Sequence, residues 1–146
     1  MKKLFLTLMM VVSIATAAMA RDKYTHDVKA LPAAAQSTLK NNFKADVSVI
    51  KVDKDFGRVS EYEVILKDGT DVTFDRDGNW KAVETAQNKS VPKSMIMQAI
   101  VNYISQTQPG SHVTGIEKER TGYEVELSNG VDMKFDKQGT FVRYDD

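Results

Sequence analysis

The sequence predicts an α+β fold of two tandem units, each a helix followed by four antiparallel strands, that form one sheet of about eight strands with both helices on one face. The first observation is an internal repeat at an offset of 61 residues: 62–66 (YEVIL) recurs as 123–127 (YEVEL), and 74–80 (FDRDGNW) recurs as 135–141 (FDKQGTF). The second is the change, within each copy, from helical spacing of apolar residues to strict alternation. A repeat of this length exceeds the usual solenoid periods and indicates a duplicated supersecondary unit.

A proline opens the helical stretch of each unit. Pro32 and Pro92 each follow an aliphatic residue, and proline is favoured in the first turn because the N–H it lacks has no partner inside a helix. Pro109 and Gly110 end the second helix. Apolar residues recur at helical spacing behind each proline: Ala35, Leu39 and Phe43 in the first unit, and Ile96, Ala99, Ile100, Tyr103 and Ile104 in the second.

Alternation and turn residues predict the strands. Apolar and charged residues alternate over 61–67, and the pairs 68–69 (DG) and 129–130 (NG) are strong signals for two-residue hairpins. Further strands are predicted at about 47–54 and 112–119. Aromatic residues in register with the apolar side are expected in the core: Tyr62, Phe74, Trp80, Tyr123, Phe135 and Phe141.

The opposite side of the sheet is expected to face water, because the helices cover only the apolar side. A large twisted sheet left bare on one side is expected to be concave. The residues predicted on this open face are Glu63, Ile65, Asp71, Thr73, Lys81, Val83, Glu124, Glu126, Asp132, Lys134, Val142 and Tyr144.

The N-terminus is typical of a cleavable signal peptide over residues 1–20. Two lysines precede an apolar stretch over 4–15, and Ala-Met-Ala at 18–20 supplies the small residues of a cleavage site before Arg21. No cysteine follows that could carry a lipid, and the apolar stretch is short for a membrane span. The expected location is therefore the periplasm or the exterior, with no membrane span after cleavage.

The rest of the chain is predicted to be one domain. A flexible leader over 21–29 precedes a single domain over 30–146, whose repeats cover 30–84 and 91–146 with a connector at 85–90. Without the two signal-peptide lysines, 18 basic residues face 20 acidic ones, a balance that argues against nucleic-acid binding. The absence of cysteine means that stability comes from a packed core.

One segment has nearly the spacing of a calcium loop. Thr73, Asp75, Asp77 and Gly78 are followed by Glu84 at the twelfth position. The first position is not acidic, the flanks are strands, and the second copy lacks the pattern. We therefore interpret the segment as hairpin-turn chemistry and predict no metal site.

No catalytic signature is present, and neither an enzymatic activity nor a cofactor is predicted. His26 and His112 have no further metal-ligating residue at ligand spacing. The paired carboxylates Glu61/Glu63 and Glu124/Glu126 are suited to acid–base chemistry in principle, but on alternating strands they are more simply explained as a solvated face.

The order of these motifs resembles the PepSY-like family of exported bacterial proteins. The shared pattern is Leu-Pro, an amphipathic helix, a strand, Tyr-Glu-Val-x-Leu, Asp/Asn-Gly and Phe-Asp-x-x-Gly-x-aromatic, in both copies over 30–146. The resemblance implies a fold similar to the secreted β-lactamase inhibitor protein, which binds its enzyme through its concave sheet face and hairpin loops. It also implies inhibition or modulation of envelope peptidases, but no set of functional residues to transfer.

The leading hypothesis is an exported module that binds an unknown protein or peptide of the cell envelope across its open face. Exposed aromatic residues beside arginine are typical of protein interfaces, although scattered surface hydrophobic residues are also normal. The alternative is a periplasmic carrier or sensor for a small ligand or cation. The candidate partner-binding residues are Phe56, Arg58, Ile65, Val83, Arg120, Val142 and Tyr144.

Overall fold

The computed structural model describes residues 22–86 and 88–145, and it has the α+β fold that the sequence predicts. Its antiparallel sheet has the order β1-β2-β3-β4-β5-β6-β7-β8-β9, so each strand pairs with its neighbours along the chain. The elements are β1 (Lys23–Thr25), α1 (Ala33–Asn42), β2 (Val47–Asp55), β3 (Arg58–Leu66), β4 (Asp71–Asp75), β5 (Trp80–Glu84), α2 (Gln98–Thr107), β6 (Val113–Glu119), β7 (Gly122–Leu127), β8 (Asp132–Asp136) and β9 (Phe141–Asp145).

Two local predictions were wrong. The leader is not flexible throughout, because β1 pairs with β2 and adds a ninth strand at the edge of the sheet. A 3-10 turn over Val28–Ala30 follows it, capped by the Asp27 side chain. The second helix does not begin at Pro92, because a 3-10 turn over Lys93–Met95 precedes α2. The proposed signal peptide lies outside the described residues.

Buried side chains of the two helices and of alternate strand residues form one core cluster. Ala35 and Leu39 of α1 belong to it, as do Ile100 and Ile104 of α2. A single cross-strand row forms its centre, and every member is fully buried: Ile50, Val64, Val72, Val83, Ile116, Val125 and Met133. Each such side chain contributes roughly 1.5–3 kcal/mol of burial free energy.

The repeated Phe-Asp-x-x-Gly motif packs a hairpin turn against the helix of its own unit. At Gly78 a Cβ atom would lie 2.8 Å from Cβ of Pro32, and at Gly139 it would lie 3.1 Å from Cβ of Ala99. Both glycines have positive φ angles, +89° and +80°, which other residues adopt only with strain. The motif thus fixes the position of each helix relative to its strands.

Candidate functional site

The open face consists of the strand residues that alternate with the core row. Carboxylates outnumber cations on it, and the acidic members are Asp53, Glu61, Glu63, Asp71, Asp75, Glu84, Glu117, Glu119, Glu124, Glu126, Asp132, Asp136 and Asp145. The basic members are Lys51, Lys81, Lys134 and Arg143, and each of these four forms an ion pair with a carboxylate. Several of these residues are missing from the predicted face, although continuing the alternation into β2 and β6 would have found them.

Four carboxylates form a row across the seam between the two units. Asp71 pairs with Glu84, Glu84 pairs with Gly115, and Gly115 pairs with Glu126, which in turn pairs with Asp132. A fifth carboxylate, Asp145 on β9, lies opposite Asp132 at the end of this row. Only a glycine, without a side chain, separates the two halves of the row. Like charges directly opposite each other on adjacent strands are destabilising, so this row carries an electrostatic cost.

The electrostatics of Asp71 show that cost. Burial, a hydrogen bond to Glu63 and the charges of Glu63 and Glu84 raise the pKa of Asp71 to about 8. Its Oδ1 atom is buried and has no hydrogen-bond partner within residues 22–86 and 88–145. Burial, with the charges of Asp132 and Glu84, also raises the pKa of Glu126. Among the described residues neither Asp71 nor Glu126 forms an ion pair with a lysine or arginine.

A second acidic group surrounds Lys134 in the second unit. Its Nζ atom lies 3.5 Å from Glu119, 3.6 Å from Glu124 and 3.7 Å from Asp145. Glu124 is only 3% exposed, so the expectation that it belongs to a solvated face was wrong. Burial and a hydrogen bond to Glu119 raise the pKa of Glu124 to about 7, against the opposing effect of Lys134.

The β2–β3 hairpin projects beyond the rest of the sheet. Glu61 is the first residue of β3 that pairs with β4, and we call the overhanging residues 54–60 the finger. Phe56 at its tip is fully exposed and has a φ angle of +51°, a conformation that is rare for aromatic residues. The corresponding turn of the second unit contains only Arg120 and Thr121 and no aromatic residue.

The structure separates the predicted partner-binding residues instead of bringing them together. Phe56 and Arg58 lie on the finger, Ile65 is half-buried on the open face, and Arg120 is exposed in the β6–β7 turn. Val142 and Tyr144 lie on β9, six strand spacings or about 29 Å from β3.

Two of these residues do not lie on the open face. Val83 is fully buried in the core row, and Tyr144 pairs with Met133 on the core side of the sheet. The physical cause is a β-bulge before each residue, since one extra residue reverses the side to which all later residues point. The seven predicted residues therefore do not form one site.

The near-calcium loop is a hairpin turn stabilised by its own carboxylate. Oδ1 of Asp75 accepts hydrogen bonds from the N–H groups of Asp77 and Asn79, both at 2.9 Å. Asp136 makes the same two bonds, at 2.9 Å, to the N–H groups of Gln138 and Thr140. Within residues 22–86 and 88–145 no group of three or more His, Cys, Asp or Glu side chains is arranged to hold a metal ion.

A cleft of about 480 Å³ lies at the seam, away from the open face. Phe43, Pro92, Lys44 and Lys89 are among its lining residues, and none of the lining residues belongs to the open face. Lys89 is held by an ion pair of 3.1 Å to Asp68. The cleft is the feature in which a small-ligand carrier would hold its ligand.

No helix within the described residues has the length and apolar character needed to cross a membrane. No curated protein matches the chain. Three solved structures from Bacteroides species match it over nearly their whole length.

A “putative periplasmic protein of unknown function” from Bacteroides vulgatus has a TM-score of 0.80 and 37% identity, covering 86% of this chain and 99% of that one. A “putative calcium-regulated periplasmic protein” from Bacteroides thetaiotaomicron has a TM-score of 0.78 and 36% identity, covering 86% and 97%. A third protein, also from B. vulgatus and described as periplasmic, has a TM-score of 0.78 and 32% identity, covering 88% and 100%.

The family model described as “Putative beta-lactamase-inhibitor-like, PepSY-like” matches residues 60–143, more than half of the sequence. This match contains both copies of the repeated strand and turn motifs, on which the sequence resemblance rested. The chain therefore belongs to the PepSY-like, β-lactamase-inhibitor-like family.

Proposed function

We propose that this chain is a non-enzymatic, exported module that binds a basic segment of an envelope protein or peptide across its open face. The observation that carries the proposal is the crowding of Asp71 and Glu126 in the row at the seam: the pKa of Asp71 is raised to about 8, that of Glu126 is also raised, and within the described residues neither forms an ion pair with lysine or arginine. A lysine or arginine of a partner would place a positive charge beside these two carboxyl groups. Repulsion between the carboxylates at the seam destabilises the free protein, and a bound cation would relieve this repulsion.

The finger supplies the second contact. Phe56 is held out of the core in an unfavourable backbone conformation, and such strain persists where a side chain has a role other than stability. Exposed aromatic residues are typical anchors of protein interfaces. In this proposal the finger enters an apolar pocket while the open face binds the basic surface beside it.

The family supports a specific version of this proposal, in which the partner is a peptidase or hydrolase of the cell envelope. Its description is β-lactamase-inhibitor-like, and the relatives are described as periplasmic. The chain would act by occupying the groove of its partner with a rigid hairpin. No chemistry of its own is needed for that action.

A basic peptide tests the open face. We expect decalysine to bind the protein with release of protons at pH 7 and to bind more tightly as pH rises from 6 to 9, because a cation nearby lowers the pKa of Asp71. The Asp71→Asn/Glu126→Gln variant should bind at least about tenfold more weakly, a loss of about 1.4 kcal/mol. Isothermal titration calorimetry in two buffers of different ionisation enthalpy measures both the affinity and the protons released.

The matched control is Asp46→Asn/Asp77→Asn, which also replaces two carboxyl groups by amides but at exposed residues outside the open face. The two double variants remove the same charge at pH 9, where Asp71 is ionised, so they are compared at that pH. The affinity of the control for decalysine should stay within about twofold of the parent protein, since distant exposed charges are screened. Equal weakening by both double variants would show that binding follows net charge alone, and the proposal would be rejected.

The finger is tested by Phe56→Asn. We expect this variant to be more stable than the parent by about 0.5–1 kcal/mol, because asparagine tolerates positive φ and the exposed ring makes no core contact. It should nevertheless lose the protein that the parent captures from an envelope extract. Chemical denaturation followed by the single Trp80, and pull-down with quantitative mass spectrometry, measure the two effects.

The matched control for the finger is Val28→Ala, at another exposed apolar residue outside the finger and the open face. It should retain capture. Capture that survives Phe56→Asn would exclude the finger from the interface, whatever happens to stability.

A second candidate function is a cation-binding sensor or carrier. One relative at 36% identity is described as calcium-regulated, and the seam row offers carboxylate oxygens, which calcium prefers. This candidate requires the row to close around the ion. It predicts a melting temperature that rises with millimolar calcium by mass action and a loss of that rise in Asp71→Asn/Glu126→Gln. A melting temperature indifferent to calcium would reject it and leave the first proposal untouched.

A further inference from the structure

The strand β9 leaves one edge of the sheet unpaired. Within the described residues β9 pairs with β8 on one side and with no strand on the other. The N–H of Asp136 donates to the carbonyl oxygen of Thr140, so alternate residues Asp136, Lys134 and Asp132 direct their backbone groups toward β9. Arg143 and Asp145 of β9 lie opposite Lys134 and Asp132, so their backbone N–H and C=O groups are directed toward β8. The N–H and C=O groups of Tyr144, between them, are therefore directed away from the sheet.

Apolar side chains reach this edge and remain exposed there. Val142 is 57% exposed and Tyr144 is 47% exposed. The ring of Tyr144 lies 4.9 Å from that of Phe141, which in turn stacks on Tyr103 at 4.7 Å. An aromatic cluster of the core thus continues to the sheet edge without a cover. An edge of this kind, with free backbone groups and exposed apolar side chains, is a template for another strand.

We propose that the missing neighbour is a second copy of this chain, paired antiparallel with β9 through a two-fold axis at Tyr144. The axis is perpendicular to the sheet, so the open faces of both copies lie on the same side. Tyr144 of each copy then exchanges both backbone hydrogen bonds with the same residue of the other copy. On the core side the two tyrosine rings and their Phe141 neighbours cover each other. The two sheets join into one continuous sheet.

The charges of β9 select this register. With the axis at Tyr144, Arg143 lies opposite Asp145 of the second copy, and Asp145 lies opposite its Arg143. These are non-hydrogen-bonded positions, where opposing side chains are closest. A shift by one residue in the position of the axis places either Arg143 opposite Arg143 or Asp145 opposite Asp145. Intermediate registers place open-face residues against core-side residues. Because Arg143 and Asp145 carry opposite charges and flank Tyr144, they favour the register with the axis at Tyr144 and disfavour the registers in which the axis is shifted by one residue.

The Arg143 side chain is free to make this contact, because it is 60% exposed and its interaction with Asp145 in its own chain, at 3.6 Å, is loose. Asp145 is held in place by Lys134 at 3.7 Å. The contact is isologous, which is the commonest symmetry of homodimers. It extends the sheet without using the finger or the seam row, so it is independent of the function proposed above.

The pairing of two β9 strands is tested by reversing the charge of Arg143 in one variant and the charge of Asp145 in another. Sedimentation velocity between 10 μM and 1 mM should show a concentration-dependent dimer for the parent chain. Arg143→Asp should weaken dimerisation at least tenfold by placing Asp opposite Asp, and Asp145→Arg should do the same by placing Arg opposite Arg. An equimolar mixture of the two variants should recover a dimer that contains one of each, because every opposing pair is then complementary.

The control is Arg58→Asp on the finger, which makes the same change of charge at an exposed residue far from β9 and should leave dimerisation unchanged. Trp80 fluorescence verifies that each variant is folded. A parent chain that remains monomeric at 1 mM, single variants that dimerise like the parent, or a mixture that stays monomeric would each overturn the proposal. If the β9 edge instead binds another envelope protein, the parent chain alone remains monomeric at 1 mM, and the proposal is likewise overturned.

Discussion

Gly122→Ala is expected to destabilise the protein by about 3 kcal/mol or more. Gly122 begins β7 and lies opposite Asp136 of β8. A Cβ atom there would overlap the carbonyl oxygen of Phe135 and lie 2.8 Å from two backbone atoms of Asp136. Neither strand can move away without breaking its pairing, since each is held by neighbours on both sides. Urea denaturation followed by Trp80 fluorescence measures the loss.

Gly130→Ala is the matched control for this effect. Gly130 also has a positive φ angle, +83°, but a Cβ atom at this position meets nothing within 4 Å. We expect a loss of about 1 kcal/mol from backbone strain alone. The difference between the two variants isolates the steric overlap with β8. Similar losses in both would mean that the two strands do not approach as closely as described.

Asp71→Asn is expected to stabilise the protein at pH 9 by roughly 1–3 kcal/mol, after allowance for solvent screening, and to have its smallest effect below about pH 4. The folded state raises the pKa of Asp71 from 3.8 to about 8. Between these values the folded protein binds a proton that the unfolded chain has lost. The associated stability is complete below pH 3.8 and is lost as pH rises through 8. Asparagine keeps the shape but has no carboxylate to ionise.

The parent protein should accordingly lose stability from pH 5 to pH 9, and the variant should lose less. Some slope should remain, because Glu124, with a pKa of about 7, titrates in the same direction. Denaturation curves at four pH values measure the slopes, with Asp77→Asn in an exposed turn as the control. A parallel pH dependence in the parent and Asp71→Asn would show that Asp71 ionises normally in the folded protein.

The repeat and the alternation were enough to predict most of the fold. The strand predicted over 47–54 is observed as Val47–Asp55, and that over 112–119 as Val113–Glu119. The edge strand β1 could not be predicted, since three mixed residues have no periodicity and are ordered only by pairing with β2. The 3-10 turn over Lys93–Met95 was also missed, because Ile96, the residue that follows it, continues the apolar spacing of α2 toward the N-terminus.

The candidate site was predicted only in part, because β-bulges are nearly invisible in the sequence. Counting from Trp80 by strict alternation places Val83 on the open face, but Lys81 is an extra residue, and the count is reversed after it. Val142 is likewise an extra residue in β9, so counting by strict alternation places Tyr144 on the wrong side of the sheet. The burial of Glu124 was also out of reach, since it depends on Lys134 and Glu119 from two other strands. The sequence difference at the exposed finger was noticed, but its cause is the greater length of β2 and β3, since the β2–β3 and β6–β7 turns each contain two residues.

The meander order of the nine strands has a consequence for how the chain acquires its structure. No strand needs a partner that lies further along the chain than the next hairpin or the next helix. Loop closure is therefore inexpensive at every step, and topologies dominated by such local pairings fold quickly for their size. A ribosome or a translocation channel that delivers this chain N-terminus first would supply each new strand to a neighbour that is already in place. The sheet can thus grow in the direction of synthesis, one strand at a time.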